Sequence, residues 1–177
     1  MKIGFIGAQG TGKTTLLNAV HEILPHFKKC TESTRWVKSL GFDINELGTD
    51  LTQELILMKH LDNLFLNDEM LTDRTLIDCF VYTEWLYENG KVSLETLNKT
   101  RAAMDKLLYN YDMIFYLPIE FEVEDDGVRS VNDSFRKEID TKFKTIVDTL
   151  GIPSLTGSIE ERTQQVINFI NTRETGA

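Results

Sequence analysis

The run Gly7-Ala8-Gln9-Gly10-Thr11-Gly12-Lys13-Thr14 constrains this chain more than any other. It satisfies G-x-x-x-x-G-K-[ST] and follows Lys2-Ile3-Gly4-Phe5-Ile6, a short and mostly apolar run of the kind that makes a buried parallel strand. After it, Leu16, Leu17, Val20 and Ile23 recur at helical spacing until Pro25 closes the pattern. Between a strand and a helix, such a loop can turn consecutive backbone N–H groups inward around phosphate oxygens, where the helix dipole also favours negative charge. Lys13 would reach the β- and γ-phosphates, and Thr14 would offer its hydroxyl to Mg2+. The expected nucleotide-binding residues are therefore Gly7, Gln9, Gly10, Thr11, Gly12, Lys13, Thr14 and Thr15.

The rest of the chain alternates between strand and helix signals. Residues 27–31 make a weak second strand, with a helix soon after it. Asp50 opens a long helix whose packed stripe is expected to be Leu51, Leu55, Leu57, Met58, Leu61, Leu64 and Phe65, ending near Asn67. Residues 70–72 read as a third strand, followed by a helix carrying Leu76, Ile77, Phe80, Val81 and Trp85 to Asn89-Gly90. A helix over 93–109 leads to the best strand, 111–117, which Pro118 stops. Residues 120–136 begin strongly acidic and lack periodicity, and are expected to be a mobile lid. A helix over 135–150, a short strand over 152–155 and a helix over 159–170 complete the chain. This order predicts an α/β fold, a doubly wound parallel sheet of about five strands with helices on both faces.

Composition narrows the class further. A length of 177 residues suits one domain with its own core, spanning 1–177. The 28 Asp and Glu against 19 Lys and Arg leave a net charge of −9, whose field opposes a nucleic-acid-coating role. Cys30 and Cys79 stand far apart without C-x-x-C or His-bearing metal spacing, so reduced thiols are expected. The glycines arrive too early for a signal sequence or a membrane span, which predicts a cytoplasmic protein. His21, His26 and His60 show no partners at ligand spacing and are expected to be solvated or internally satisfied.

Other residues must decide what the loop does with its nucleotide. No Asn-Lys-x-Asp base reader follows the 111–117 strand, which disfavours a GTPase, and the chain is short for a motor ATPase. Asp73-Arg74-Thr75 ends the third strand on the carboxyl edge of the sheet, beside the glycine loop. There Asp73 could hold a Mg2+-bound water while Arg74 neutralises charge developing on a transferred phosphoryl group. Glu32 follows the second strand on the same edge, where a carboxylate can take the proton of an acceptor hydroxyl, and Arg35 is one helical turn away. Arg129 and Arg136 could close over a triphosphate from the lid. Gly157 would lie against the adenine, a placement that spacing alone does not make. Trp36, Phe42, Tyr82, Trp85 and Tyr87 could sandwich an acceptor base, although such residues are more often core.

Together, the glycine loop, Thr31-Glu32-Ser33-Thr34-Arg35, Asp73-Arg74-Thr75 with Asp78, Asp126-Gly127-Val128-Arg129, and Thr156-Gly157-Ser158 with Glu161-Arg162 resemble a known family. It is that of P-loop kinase and ATPase domains related to the ribosylnicotinamide kinase domain of the bifunctional NAD regulator, a type common among small phage proteins. The resemblance implies ATP-dependent phosphorylation of a nucleoside-like hydroxyl or a nucleotide phosphate. By it, Glu32 matches the carboxylate that serves as base in deoxynucleoside kinases, and Asp73-Arg74 matches their acidic-Arg pair. Those kinases favour Glu-Arg-Ser where this chain has Asp-Arg-Thr, which leaves Glu32 and Asp73 both open as the base. The expected catalytic set is Lys13, Glu32, Asp73, Arg74 and Arg129, with Thr14 and Asp73 at the metal and Arg136 and Gly157 at the nucleotide. The favoured partner is a small-molecule acceptor, and no membrane contact is expected. The net charge counts against the alternative of a hydroxymethylpyrimidine in phage DNA. The remaining alternatives are an ATP-binding regulatory module and an ATPase without an acceptor.

Overall fold

A computed structural model of the chain describes residues 1–31, 33–120 and 133–175, with side chains as far as residue 173. Strand β1 (Lys2–Ile6) runs through the glycine loop into α1 (Lys13–Ile23). There follow β2 (Lys28–Cys30), α2 (Ser33–Ser39), α3 (Asp50–Leu66), β3 (Met70–Asp73), α4 (Leu76–Glu88) and α5 (Leu94–Leu107). Strand β4 (Met113–Tyr116), α6 (Asp133–Leu150) and α7 (Ile159–Thr175) complete the order, and short 3-10 turns precede α3 and β4.

The described strands form one parallel sheet in the order β2-β3-β1-β4. The chain leaves β1 for β2, returns through β3 and crosses to β4, so its winding reverses beside β1. A crevice over the carboxyl ends of the strands results. Phe5 of β1 pairs with Asp73 of β3, which brings Asp73 to the foot of the glycine loop. Alternation sends Ile3 and Phe5 to one face, against Leu16, Leu17 and Val20 of α1 and Val166 and Ile170 of α7. Ile6 and Tyr116 face the other way, against Phe80 and Val81 of α4 and Ile139 and Phe143 of α6. Gly4 is required where α4 begins, because a Cβ there would lie 2.3 Å from Thr75 Cγ2.

Two expectations need correction. The expected fifth strand is reduced to one parallel bridge between Tyr116 and Ser154. Pro153 has no N–H to donate, and the Ile152 N–H is spent on Val147 O at the end of α6, so the ladder cannot extend. Helix α3 is also rotated from the expected stripe. It buries Thr52, Gln53, Ile56, His60 and Leu64, while Leu51, Met58 and Phe65 stand more than half exposed. Its polar residues face inward because a polar cavity lies there, and the apolar side chains they displace face out. The lid expected over 120–136 lies mostly outside the described residues, and its last four residues, 133–136, form the first turn of α6.

Candidate active site

The glycine loop closes around its own peptide groups. Gly7 has φ +143°, and a Cβ there would approach Leu117 O to 2.5 Å, so only glycine admits this contact with the chain after β4. Gly12, at φ 88°, caps α1 without any side-chain acceptor, leaving the first amide N–H groups of that helix free of a side-chain cap. Lys13 Nζ folds back to donate to Gly7 O at 2.8 Å and to Ala8 O at 2.7 Å. Gln9 is fixed through its side-chain oxygen, which accepts from Tyr82 OH at 2.7 Å. The Gln9 Nε2 amide has no hydrogen-bond partner among the described residues, although it is buried.

Asp73 and Arg74 lie directly beside this loop. The Thr14 hydroxyl donates to the Asp73 carboxylate, which unites two hard oxygen ligands at the loop mouth. That donor pair fits Mg2+, which binds through one or two protein oxygens and keeps several waters. Arg74 adopts φ 120°, a region that costs a non-glycine residue about 1–3 kcal/mol and recurs at functional sites. Its carbonyl accepts from Thr72 Oγ1 at 2.9 Å, and its guanidinium lies over the Tyr82 ring at 4.9 Å and 3.7 Å from Asp78 Oδ1. Burial and these contacts hold the group in one place.

Beyond Arg74, a cavity of about 20 Å³ is lined by Thr34, Gln53, His60, Arg74, Asp78 and Tyr82, among others. A hollow of similar size within the loop is lined by Gln9–Thr14, Asp73 and Arg74, so Arg74 borders both spaces. Two buried polar atoms of the cavity wall, His60 Nε2 and Asp78 Oδ1, have no hydrogen-bond partner among the described residues. Burial keeps His60 neutral, bringing its pKa down to about 3, and the Arg74 charge adds to the effect. Burial pushes Asp78 up to about 6, against the pull of Arg74 and Lys13. The Thr75 N–H donates to Asp78 Oδ2 at 2.8 Å, and this capping box starts α4 where the cavity needs it.

Several expected site residues therefore converge: Lys13, Thr14, Asp73 and Arg74 surround one hollow. Thr15 is exposed on the first turn of α1. Glu32 and Arg129 lie outside the described residues. Arg136 is on α6 and donates to Gln9 O at 2.9 Å and Gly10 O at 3.3 Å. Gly157, at φ +95°, precedes α7 and accepts through its carbonyl from Arg162 Nε at 3.0 Å. Arg35 and Trp36 are exposed on α2, while Trp85 packs edge-on against Phe135. Gln53 carried no expectation, and His60, expected to be solvated or internally satisfied, is instead buried with its Nε2 lacking a hydrogen-bond partner among the described residues. Their signal is two polar side chains two turns apart on one face of an otherwise apolar helix. Among the described residues no helix is long and apolar enough to cross a membrane, and no cluster of three or more His, Cys, Asp or Glu could hold a metal.

Comparison with known proteins matches residues 2–162 to the family described as an AAA domain. No curated protein matches the chain. Among solved structures, deoxyadenosine kinase from M. mycoides with products dCMP and dCDP bound is similar, with 14% identity and a TM-score of 0.70 over 97% of this chain and 99% of that one. The NadR protein in complex with NR shares 16% identity at a TM-score of 0.69, over 99% of this chain and 50% of that one. The YorR protein of Bacillus subtilis, in complex with phosphorylated GDP, shares 14% identity at 0.62, over 99% and 98%. The fold is thus that of the P-loop nucleoside kinases.

Proposed function

The chain belongs to the AAA domain family, and from that premise we propose that it is a P-loop kinase moving the γ-phosphoryl group of ATP to a small nucleoside-like acceptor. The observation that carries this reading is the meeting of two small polar spaces at Arg74, the hollow of the glycine loop on one side and the cavity lined by His60 and Asp78 on the other. An ATPase needs only the first. The second, lined by Asp78 and by His60, whose Nε2 has no hydrogen-bond partner among the described residues, supplies polar groups for an acceptor to meet. The similar structures carry deoxynucleotides, NR and phosphorylated GDP, which supports an acceptor of nucleoside type.

Transfer of this kind is largely positioning and charge compensation. Lys13 would leave the Gly7 and Ala8 carbonyls for the β- and γ-phosphates. Arg74, held by Asp78 and Tyr82, would face the phosphoryl group as it moves between the two spaces. Thr14 and Asp73 would hold Mg2+, which when bound offsets the negative charge of the phosphates. Glu32, which matches the base of deoxynucleoside kinases in the sequence resemblance, would orient an acceptor hydroxyl and take its proton. The net charge of −9 favours a small acceptor over a polymer.

The test is mass spectrometry of the protein with ATP, Mg2+ and a panel of nucleosides, nucleoside monophosphates and hydroxymethylpyrimidine DNA. One acceptor gaining the mass of a phosphoryl group, with Lys13→Ala inactive, supports the proposal and names the acceptor. Phosphate release without any such gain would make the protein an ATPase. ATP binding with neither outcome would point to a regulatory module.

A further inference from the structure

The carbonyls of the glycine loop form a pattern that the nucleotide reading does not use. From Gly7 to Thr11, each one accepts a hydrogen bond from a cationic side chain. Lys13 serves Gly7 and Ala8 at 2.8 and 2.7 Å, Arg136 serves Gln9 and Gly10 at 2.9 and 3.3 Å, and Arg162 Nη1 serves Thr11 at 3.0 Å. In a trans peptide the C=O and the next residue's N–H point in opposite directions. Fixing the Thr11 carbonyl toward α7 therefore turns the Gly12 N–H to the opposite side of the loop. The Arg136 bonds do the same for the N–H groups of Gly10 and Thr11. Lys13 must change partners when phosphates arrive, whereas Arg136 and Arg162 reach the loop from α6 and α7 and can stay.

Arg162 does more than hold one peptide. Only 2% of it is exposed, and its Nε donates to Gly157 O at 3.0 Å while its Nη2 pairs with Glu120. Glu120 in turn accepts from the Gly157 N–H at 3.3 Å, closing a ring among three segments. The Gly157 turn has no slack of its own. A Cβ there would lie 2.3 Å from Glu161 Oε2, which already accepts from the Ser158 N–H at 2.7 Å. One planar, five-donor guanidinium can satisfy this arrangement, and an ammonium cannot.

We propose that Arg162 is a positioning residue for nucleotide binding: it presents the Gly12 N–H to the phosphates and holds the glycine loop in register with the Gly157 turn. The proposal rests on the loop being a nucleoside triphosphate site. Its test is equilibrium binding of ATP to the full chain, read beside the melting temperature without nucleotide. Arg162→Ala should weaken ATP binding by about tenfold or more, the effect of losing charge-assisted bonds behind a binding group. Millimolar guanidinium ion should restore part of that affinity in Arg162→Ala and none in Lys13→Ala, a rescue that loss of general stability would not show. Arg162→Lys keeps the charge but cannot reach all three acceptors, so it should also bind ATP several-fold more weakly. It carries the test if the alanine variant does not fold. ATP affinity within about twofold of wild type in either folded variant, or loss without guanidinium rescue, overturns the proposal. A wild-type protein that binds no nucleoside triphosphate overturns the kinase reading instead, and this inference with it.

Discussion

His60 and Asp78 line one cavity, and burial moves their titrations in opposite directions. The unfolded chain protonates His60 near 6.5 and the folded one near about 3, so the unfolded state holds more protons between those values and stability falls as pH drops. Asp78 is raised to about 6 from 3.8, so there the folded state holds more protons and stability rises as pH drops from 6 to 4. The two partly cancel in the wild-type protein. His60→Gln should remove the first contribution, up to about 2 kcal/mol between pH 7 and pH 5. In urea unfolding the variant should therefore lose less stability on acidification than wild type, and an equal loss would show that His60 is not held neutral. A second residue-scale expectation concerns the carboxylates. Glu32→Gln and Asp73→Asn should bind ATP yet transfer phosphoryl at least about 100-fold more slowly. Turnover insensitive to both changes would remove them from the mechanism. At this scale the loop and Asp73-Arg74 were legible because motif and spacing encode them locally. Gln53 was not, and for His60 and Arg162, both named in the sequence, the roles were not, because those roles come from residues far away in the chain.

At the scale of elements, α3 shows how a site overrides a packing pattern. Its leucines and phenylalanine predict one buried face, yet the helix turns Gln53 and His60 inward and leaves Leu51, Met58 and Phe65 exposed. Periodicity gave the length of this helix correctly, and with a stripe this broad it could not give its rotation. The rotation makes a contrast that can be measured. Met58→Lys lies on the exposed side and should change stability by no more than about 0.5 kcal/mol. Leu64→Ala empties a fully buried position and should cost about 2–5 kcal/mol. Chemical denaturation of the two variants checks both, and similar costs would mean that α3 packs in the orientation expected from its apolar stripe. The edge of the sheet teaches the same lesson. The 152–155 run has strand-like composition, but Pro153 and the closing bond of α6 limit it to one bridge.

For the molecule as a whole, charge is distributed against its own average. A chain with net charge −9 gathers Lys13, Arg74, Arg136 and Arg162 around one loop, each at most 5% exposed. Composition alone pointed away from polyanions. It could not show that four cations from four parts of the chain meet where the winding of the sheet reverses, because strand order is not written in local periodicity. Buried like charges repel and cost desolvation, and here their hydrogen bonds go largely to loop carbonyls. An arriving polyphosphate would complete that arrangement, so nucleotide binding and folding stability should be tightly linked. Ligand at about 100 times its dissociation constant stabilises the folded state by about 2.7 kcal/mol. For a chain of 177 residues that corresponds to a melting temperature higher by about 5–10 °C. ATP with Mg2+ should produce this shift in wild type, and Lys13→Ala should lose most of it. Tripolyphosphate separates the contributions: if the cations around the loop dominate, it should give more than half of the ATP shift. A shift with ATP and none with tripolyphosphate would place the main binding energy at the base and weaken the view that the loop's cations organise the site.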